Sequence, residues 1–229
     1  ESGIDLGAEP RIRDLGDLEL TQDVTAHEQI AATIRDLVAC GVYVLSLGGD
    51  HAITFPIIEA YQPRYPDLTI LHLDAHSDLY DEYHGNRFSH ACPFARIMEG
   101  NLASRLVQVG IRTLNPLQRA QAERFGVEVI EIRSWRPEDS LILEGPLYLS
   151  LDIDVLDPAF APGVSHHEPG GMSTRDLLRL IQGLKVPIVG ADIVEFNPAR
   201  DLVGVTAMAA AKLLKEIAFA KFNETVELH

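Results

Sequence analysis

Apolar positions recur at helical spacing near the front of the chain and then gather into short, nearly unbroken runs. Between Ala26 and Cys40, the residues Ile30, Ile34, Leu37 and Val38 fall at i, i+4, i+7 and i+8. That spacing predicts one buried helix face, which Gly41 is placed to end. The runs 42–46, 69–73, 106–110, 127–131, 147–151 and 187–192 are β-prone and apolar almost throughout. Segments 53–61, 92–99, 115–125, 173–184 and 205–221 between and around them read as helices. Strands without a polar face, separated by helix-sized segments, predict βαβ units. The expected fold is therefore α/β, a three-layer αβα arrangement with a mostly parallel central sheet. Residues 1–25 are polar and turn-rich, with 14–17 expected as a short edge element. Nothing in the chain resembles a linker or a solenoid repeat, so 1–229 reads as one domain.

Composition narrows the function classes. Hydrophobic residues make up 46% of the chain and aromatics only 7%, so the core should be aliphatic. A formal net charge of -15 argues against nucleic acid and suits a partner that is itself a cation. Cys40 and Cys92 are the only cysteines. Two scattered thiols make neither a disulfide framework nor a zinc site, which points to a reducing, cytoplasmic setting. No apolar run approaches the roughly 18–20 residues needed to span a bilayer, so no membrane partner is expected.

The polar motifs start where the predicted strands end. Gly48-Gly49-Asp50-His51, Asp74-Ala75-His76-Ser77-Asp78 and Asp152-Ile153-Asp154 each begin at a C-terminal strand end, the edge at which open α/β sheets bind ligands. In extended backbone, Asp74, His76 and Asp78 would point to one side, as would Asp152 and Asp154. Buried carboxylates packed side by side repel unless a cation compensates them. Four carboxylates with the imidazoles of His51 and His76 balance two divalent cations, and this donor set suits manganese, iron, nickel or zinc. Two ions sharing one water would make hydroxide available near neutral pH.

These motifs, with Ser150-Leu151-Asp152-Ile153-Asp154-Val155-Leu156-Asp157-Pro158, resemble the signatures of the ureohydrolase family, the arginases and agmatinases. The resemblance runs from about Asp14 to Ile217. Phe160-Ala161-Pro162-Gly163-Val164-Ser165-His166 and Val189-Gly190-Ala191-Asp192-Ile193-Val194-Glu195-Phe196-Asn197-Pro198 are most similar to plant-type arginases and their bacterial agmatinase-like relatives. It implies two manganese ions, one held by His51, Asp74, Asp78 and Asp152. The other would take His76, Asp74, Asp152 and Asp154. It further implies a small guanidino substrate gripped by Glu195, attack by a metal-bridging hydroxide that Asp78 orients, and His90 as a proton shuttle. Asn86 and Ser89 are candidates for the substrate's α-carboxylate, or shape only their turn. His72 is either a partner of the ligands or a structural histidine, while His84, His166 and His167 read as loop residues.

Arginine is the favoured substrate, with agmatine or another guanidino compound next. A single-metal deacetylase of related fold and an inactive metal-binding protein are the readings from other classes. Both explain less well why all six ligands are present. The resemblance implies a further N-terminal segment ahead of the point at which this chain opens, and assembly as a homo-trimer or homo-hexamer is expected from it.

Overall fold

Every residue of the run Thr69–Leu73 is buried, and so is every residue of Leu147–Asp152. Strands with no solvent face must be covered on both sides, and the computed structural model shows how. It describes residues 5–21 and 25–224. Six strands, β1 (Val44–Leu47), β2 (Thr69–Leu73), β3 (Arg105–Ile111), β4 (Glu128–Glu131), β5 (Leu147–Asp152) and β6 (Ile188–Val194), form one sheet among the described residues. The order is β1-β6-β5-β2-β3-β4 and every pairing is parallel.

Strand parity separates the two cores. Leu71, Leu73, Leu149 and Leu151 face Leu177, Leu178 and Ile181 of α5 (Thr174–Gly183) and Leu213 and Ile217 of α6 (Val205–Glu224). Ile70, Leu106 and Tyr148 face the opposite layer. That layer comprises α1 (Thr25–Ala39), α2 (Thr54–Tyr61), α3 (Pro93–Glu99) and α4 (Pro116–Phe125). The three-layer arrangement is the one the apolar runs predict, with boundaries within about two residues at most ends. Segment 14–17 differs. It forms no strand: Asp14 accepts the Gly16 N–H at 2.8 Å in a local turn, and Leu15 is 61% exposed. A polar stretch with no apolar row to bury has nothing to hold it against the sheet.

The topology opens a crevice at one place. β2 and β5 are neighbours, but the chain leaves β2 for β3 on one side and leaves β5 for β6 on the other. Their connections diverge, which leaves room above their C-terminal ends. A row of polar residues crosses the sheet beneath this crevice. Gln108, His72, Ser150 and Asp192 are register partners from β3 through β2 and β5 to β6, and all are fully buried.

Helix and sheet pack tightly at Gly190, where an added Cβ would lie 2.1 Å from the Tyr61 hydroxyl. Tyr61 is itself fully buried and cannot swing away. Gly190→Ala is expected to destabilise the chain by about 1–3 kcal/mol, the usual range for overpacking, read from the urea denaturation midpoint.

Candidate metal centre

The acidic motifs converge by breaking out of their strands. β2 stops at Leu73, and Asp74 turns its Oδ1 onto the His76 N–H at 2.6 Å. Such a bond from a side chain to the backbone two residues on ends a strand. By Asp78 the backbone is left-handed, at φ 48°. Strain of this kind in a non-glycine residue persists only where surrounding contacts enforce it. β5 ends likewise: Asp152 accepts the Asp154 N–H at 2.8 Å and the chain enters a 3-10 turn, Ile153–Val155. Asp154 then reaches back to the Ala75 N–H at 3.1 Å and ties the two loops together. Bent loops, and not the parity of an extended strand, bring these residues together.

Two groups share Asp74. His51 Nδ1 lies 3.2 Å from Asp74 Oδ2, 3.1 Å from Asp78 Oδ2 and 3.4 Å from Asp152 Oδ2. His76 Nδ1 lies 3.0 Å from Asp154 Oδ2 and 3.4 Å from Asp74 Oδ1. Apart from His76, all of these residues are buried. The arrangement fits cations. His51 Nδ1 is buried without a hydrogen-bond partner although three carboxylates surround it. Burial pushes Asp152 well above the usual carboxylate range, and the charges of Asp154 and Asp74 push it further. Burial and Asp74 likewise raise Asp154 to about 7. Burial opposes charge on His76, but hydrogen bonds to Asp154 and Asp74 win and raise it to about 12. Without a metal this cluster stores protons. Divalent cations would do the same work with charge that does not dissociate as pH rises.

His72 also stands near the first group, but both its nitrogens are taken. Gln108 Nε2 approaches its Nδ1 at 3.0 Å and its Nε2 meets Asp74 Oδ2 at 2.7 Å. With Nδ1 accepting from the amide, Nε2 carries the proton and donates it to Asp74. His72 therefore orients Asp74. A second chain of bonds orients His51, whose Nε2 contacts Ser150 Oγ at 3.0 Å. Ser150 donates to Asp192 Oδ1 at 2.8 Å, and Tyr148 and Thr54 donate to Asp192 Oδ2 at 2.9 and 3.0 Å. This leaves the Nδ1 of His51 turned to the carboxylates, the outer support that metal-ligating histidines usually have.

Ser150, Asp192, Gln108 and Arg112 received no role from the sequence. The available signal was a polar residue inside an otherwise apolar strand, which burial makes costly unless it is bonded. Arg112 lies just past β3, and its guanidinium donates to the carbonyls of Asp154 and Glu168, both at 2.7 Å, bracing the loop after β5.

A cavity of about 230 Å³ opens over this centre, lined by His76, Asp78, Asp152 and Asp154 on one part of its wall. Glu195 lines it too. Its backbone is left-handed, at φ 65°, and its Oε1 accepts the His51 N–H at 2.9 Å. Burial raises its carboxyl above the ordinary value. His90 reaches the cavity stacked on His166, with ring centroids 5.2 Å apart. His166, read from sequence as a loop residue, is thus a wall residue. Burial and the neighbouring His90 and His76 lower its pKa. Asn86 and Ser89 do not line the cavity. Asn86 Oδ1 caps the Phe88 N–H at 2.9 Å, and Ser89 Oγ lies 3.4 Å from the Ala91 N–H, so both shape their turn. His84 contacts Tyr83, and His167 Nε2 bonds the Pro162 carbonyl at 2.7 Å.

Known proteins resemble this chain over most of its length. A family model described as the arginase family matches residues 2–220. Arginase 1, mitochondrial, of Arabidopsis thaliana is 55% identical over 183 residues, covering 76% of this chain and 54% of that relative. Guanidinopropionase of Pseudomonas aeruginosa is 38% identical over 224 residues, covering 90% of this chain and 70% of that relative. The solved arginase of Medicago truncatula superposes with a TM-score of 0.83 at 45% identity, covering 88% of this chain and 66% of that one. The chain thus spans about half the length of the plant arginases it matches. One expectation is overturned. The plant relatives are named mitochondrial or chloroplastic/mitochondrial, so the cytoplasmic setting inferred from two free thiols does not stand. Thiol content reports a reducing compartment, and more than one compartment is reducing. No helix among the described residues is long and apolar enough to cross a membrane.

The stored protons give a pH signature. The folded pKa of Asp154 is raised to about 7, so its contribution to stability is complete below the unfolded value and lost as pH rises through about 7. His51 and His76 are raised as well and lose their contributions at higher pH. His72 and His166 are lowered and contribute nothing to the slope above their unfolded value. Asp154 therefore acts below about pH 7 and the two histidines above it, so the metal-free chain is expected to melt at falling temperature from about pH 7 to about pH 9 through His51 and His76, and the metal-loaded chain to change much less. Calorimetric melts of both forms check this; a metal-free Tm that rises across that window contradicts it.

Proposed function

Because the chain belongs to the arginase family, we propose that it hydrolyses the guanidinium group of L-arginine to urea and ornithine with two manganese ions bound. The observation that carries this reading is the shared cavity, in which Glu195 faces the same space as His76, Asp78, Asp152 and Asp154. Residues 1–229 are taken as one ureohydrolase unit, which assembles as a homo-trimer or homo-hexamer. The plant relatives' names support an organellar location.

In this reading His51, Asp74, Asp78 and Asp152 hold one ion, and His76, Asp74, Asp152 and Asp154 the other. Oxygen and imidazole donors without thiolates suit manganese. Two ions held there would supply a nucleophile near neutral pH by lowering the pKa of bound water. Glu195 receives the planar guanidinium through parallel N–H bonds. Its burial favours that pairing, because a carboxylate held in a poorly solvated wall gains from a cation at its open oxygen. Asp78, on the wall beside Asp152, orients the nucleophile toward the guanidinium carbon and takes up its proton. The departing amine needs a proton, which Asp78 or the His90 imidazole at the cavity wall returns to it.

The matches to guanidinopropionase and to the human mitochondrial guanidino acid hydrolase support a second reading, cleavage of another guanidino compound. Urea release measured side by side from arginine, agmatine and 4-guanidinobutyrate with added manganese separates the two. Arginine is expected to be cut fastest, and urea from none of the three defeats both readings. Asp78→Asn is expected to lower kcat by at least about 100-fold, the scale of losing one preorganised transition-state contact. Metal analysis of the same variant distinguishes lost chemistry from a lost ion, and full activity with metal retained removes Asp78 from the mechanism.

A further inference from the structure

We infer that Glu168 selects the substrate's tail: its carboxylate binds the ammonium group at the end remote from the guanidinium and disfavours tails that carry a carboxylate alone. This rests on the guanidino-hydrolase reading above. Glu168 lines the same cavity as Glu195. Apart from the acids of the metal centre, these two are the carboxylates of the wall among the described residues. Two separated carboxylates match a molecule with two separated cationic ends.

The loop around Glu168 is built to present a side chain. Arg112 grips the Glu168 carbonyl through Nε at 2.9 Å and Nη2 at 2.7 Å. Just beyond, the Gly170 and Gly171 N–H groups donate to Asp157 Oδ2 at 2.7 and 3.2 Å. His167 is tied to the Pro162 carbonyl on the other side. Gly171 packs so closely that an added Cβ would lie 2.6 Å from the Asp157 nitrogen. The backbone is thus held from both flanks. The Glu168 carboxylate itself makes no hydrogen bond or ion pair among the described residues. The nearby cation of Arg112 does not claim it, since that guanidinium is aimed at the carbonyls of Gly110, Asp154, Val155, Leu156 and Glu168. A fixed backbone leaves only the side chain's own rotamers to be ordered when a ligand binds.

The remainder of the wall sets the sign of the selection. No Lys or Arg lines the cavity among the described residues. A tail with only a carboxylate would meet Glu168 with no Lys or Arg on the wall beside it, Arg112 acting only through its charge from outside the lining, whereas an ammonium would gain a charge-assisted bond. Thr113, Gln118, Tyr80 and Tyr83 offer neutral donors that can accommodate the α-carboxylate of an amino acid once its ammonium is held.

The test uses the manganese-loaded full chain and its Glu168→Gln and Glu168→Asp variants. Urea release is measured from arginine, agmatine and 4-guanidinobutyrate, and ornithine binding is titrated by calorimetry. Glu168→Gln is expected to raise KM for arginine and agmatine about tenfold with kcat within about twofold, to lower KM for 4-guanidinobutyrate, and to weaken ornithine binding about tenfold. Glu168→Asp should recover part of the loss. Unchanged KM values, or equal losses on all three substrates, overturn the assignment. If the wild type cuts none of the three, the guanidino reading fails by itself and ornithine still decides Glu168. Weakened binding in the Gln variant then supports a subsite for ammonium, while equal binding, or none by the wild type, ends it.

Discussion

Mutual repulsion among Asp74, Asp78, Asp152 and Asp154 is the constraint on which the rest of this structure depends. All four are buried, and carboxylates so placed must be protonated, paired or bound to cations. Without a cation the cluster would fall back on the first two remedies together. Asp152 and Asp154 are pushed toward the protonated form, while Asp74 stays well below its ordinary range because burial is outweighed by His72, His51 and His76. An anion at the shared position, with protonated neighbours to either side, is an arrangement that two cations would relieve.

Holding these charges in place requires support that extends well into the sheet. Asp192 lies a full strand away from the carboxylate loops, yet through Ser150 it sets which nitrogen of His51 faces them. Gln108 does the same for His72 from the opposite side. These polar residues stand in the middle of an apolar core, and each finds partners on neighbouring strands, on α2 or in the loops above. Arg112 extends the support outward by bracing both the loop after β5 and the loop that carries Glu168. One guanidinium thus couples the metal centre to the proposed tail subsite.

The left-handed backbone at Asp78 and Glu195 belongs to the same economy of position. Both residues reach the cavity from loops that follow a strand, and both adopt a φ that side chains with a Cβ rarely favour. Glu195 is held there by bonds at each end, its N–H to the Gly49 carbonyl at 2.8 Å and its carboxylate to the His51 N–H. The Gly48-Gly49-Asp50-His51 turn therefore does more than deliver a histidine. It also places the carboxylate proposed to grip the guanidinium.

Much of this was legible in the chain alone, because burial leaves a periodic trace. Apolar runs without a polar face required a sheet covered on both sides, and motifs at their C-terminal ends located the site. The residue types there, four carboxylates and two imidazoles, pointed to a metal site through charge balance. Tertiary structure decided what periodicity cannot encode. The convergence of Asp74, His76 and Asp78 comes from a bend and a left-handed residue, whereas the sequence suggested an extended strand. The supporting roles of Ser150, Asp192 and Gln108 depend on strand order, which brings β5 between β2 and β6 although they are distant in the chain. The same applies to Glu168 and His166, two loop residues that become cavity wall only once the loop after β5 is folded over the end of β3. Local pattern reports which side chains must be buried; only the assembled sheet reports which of them meet.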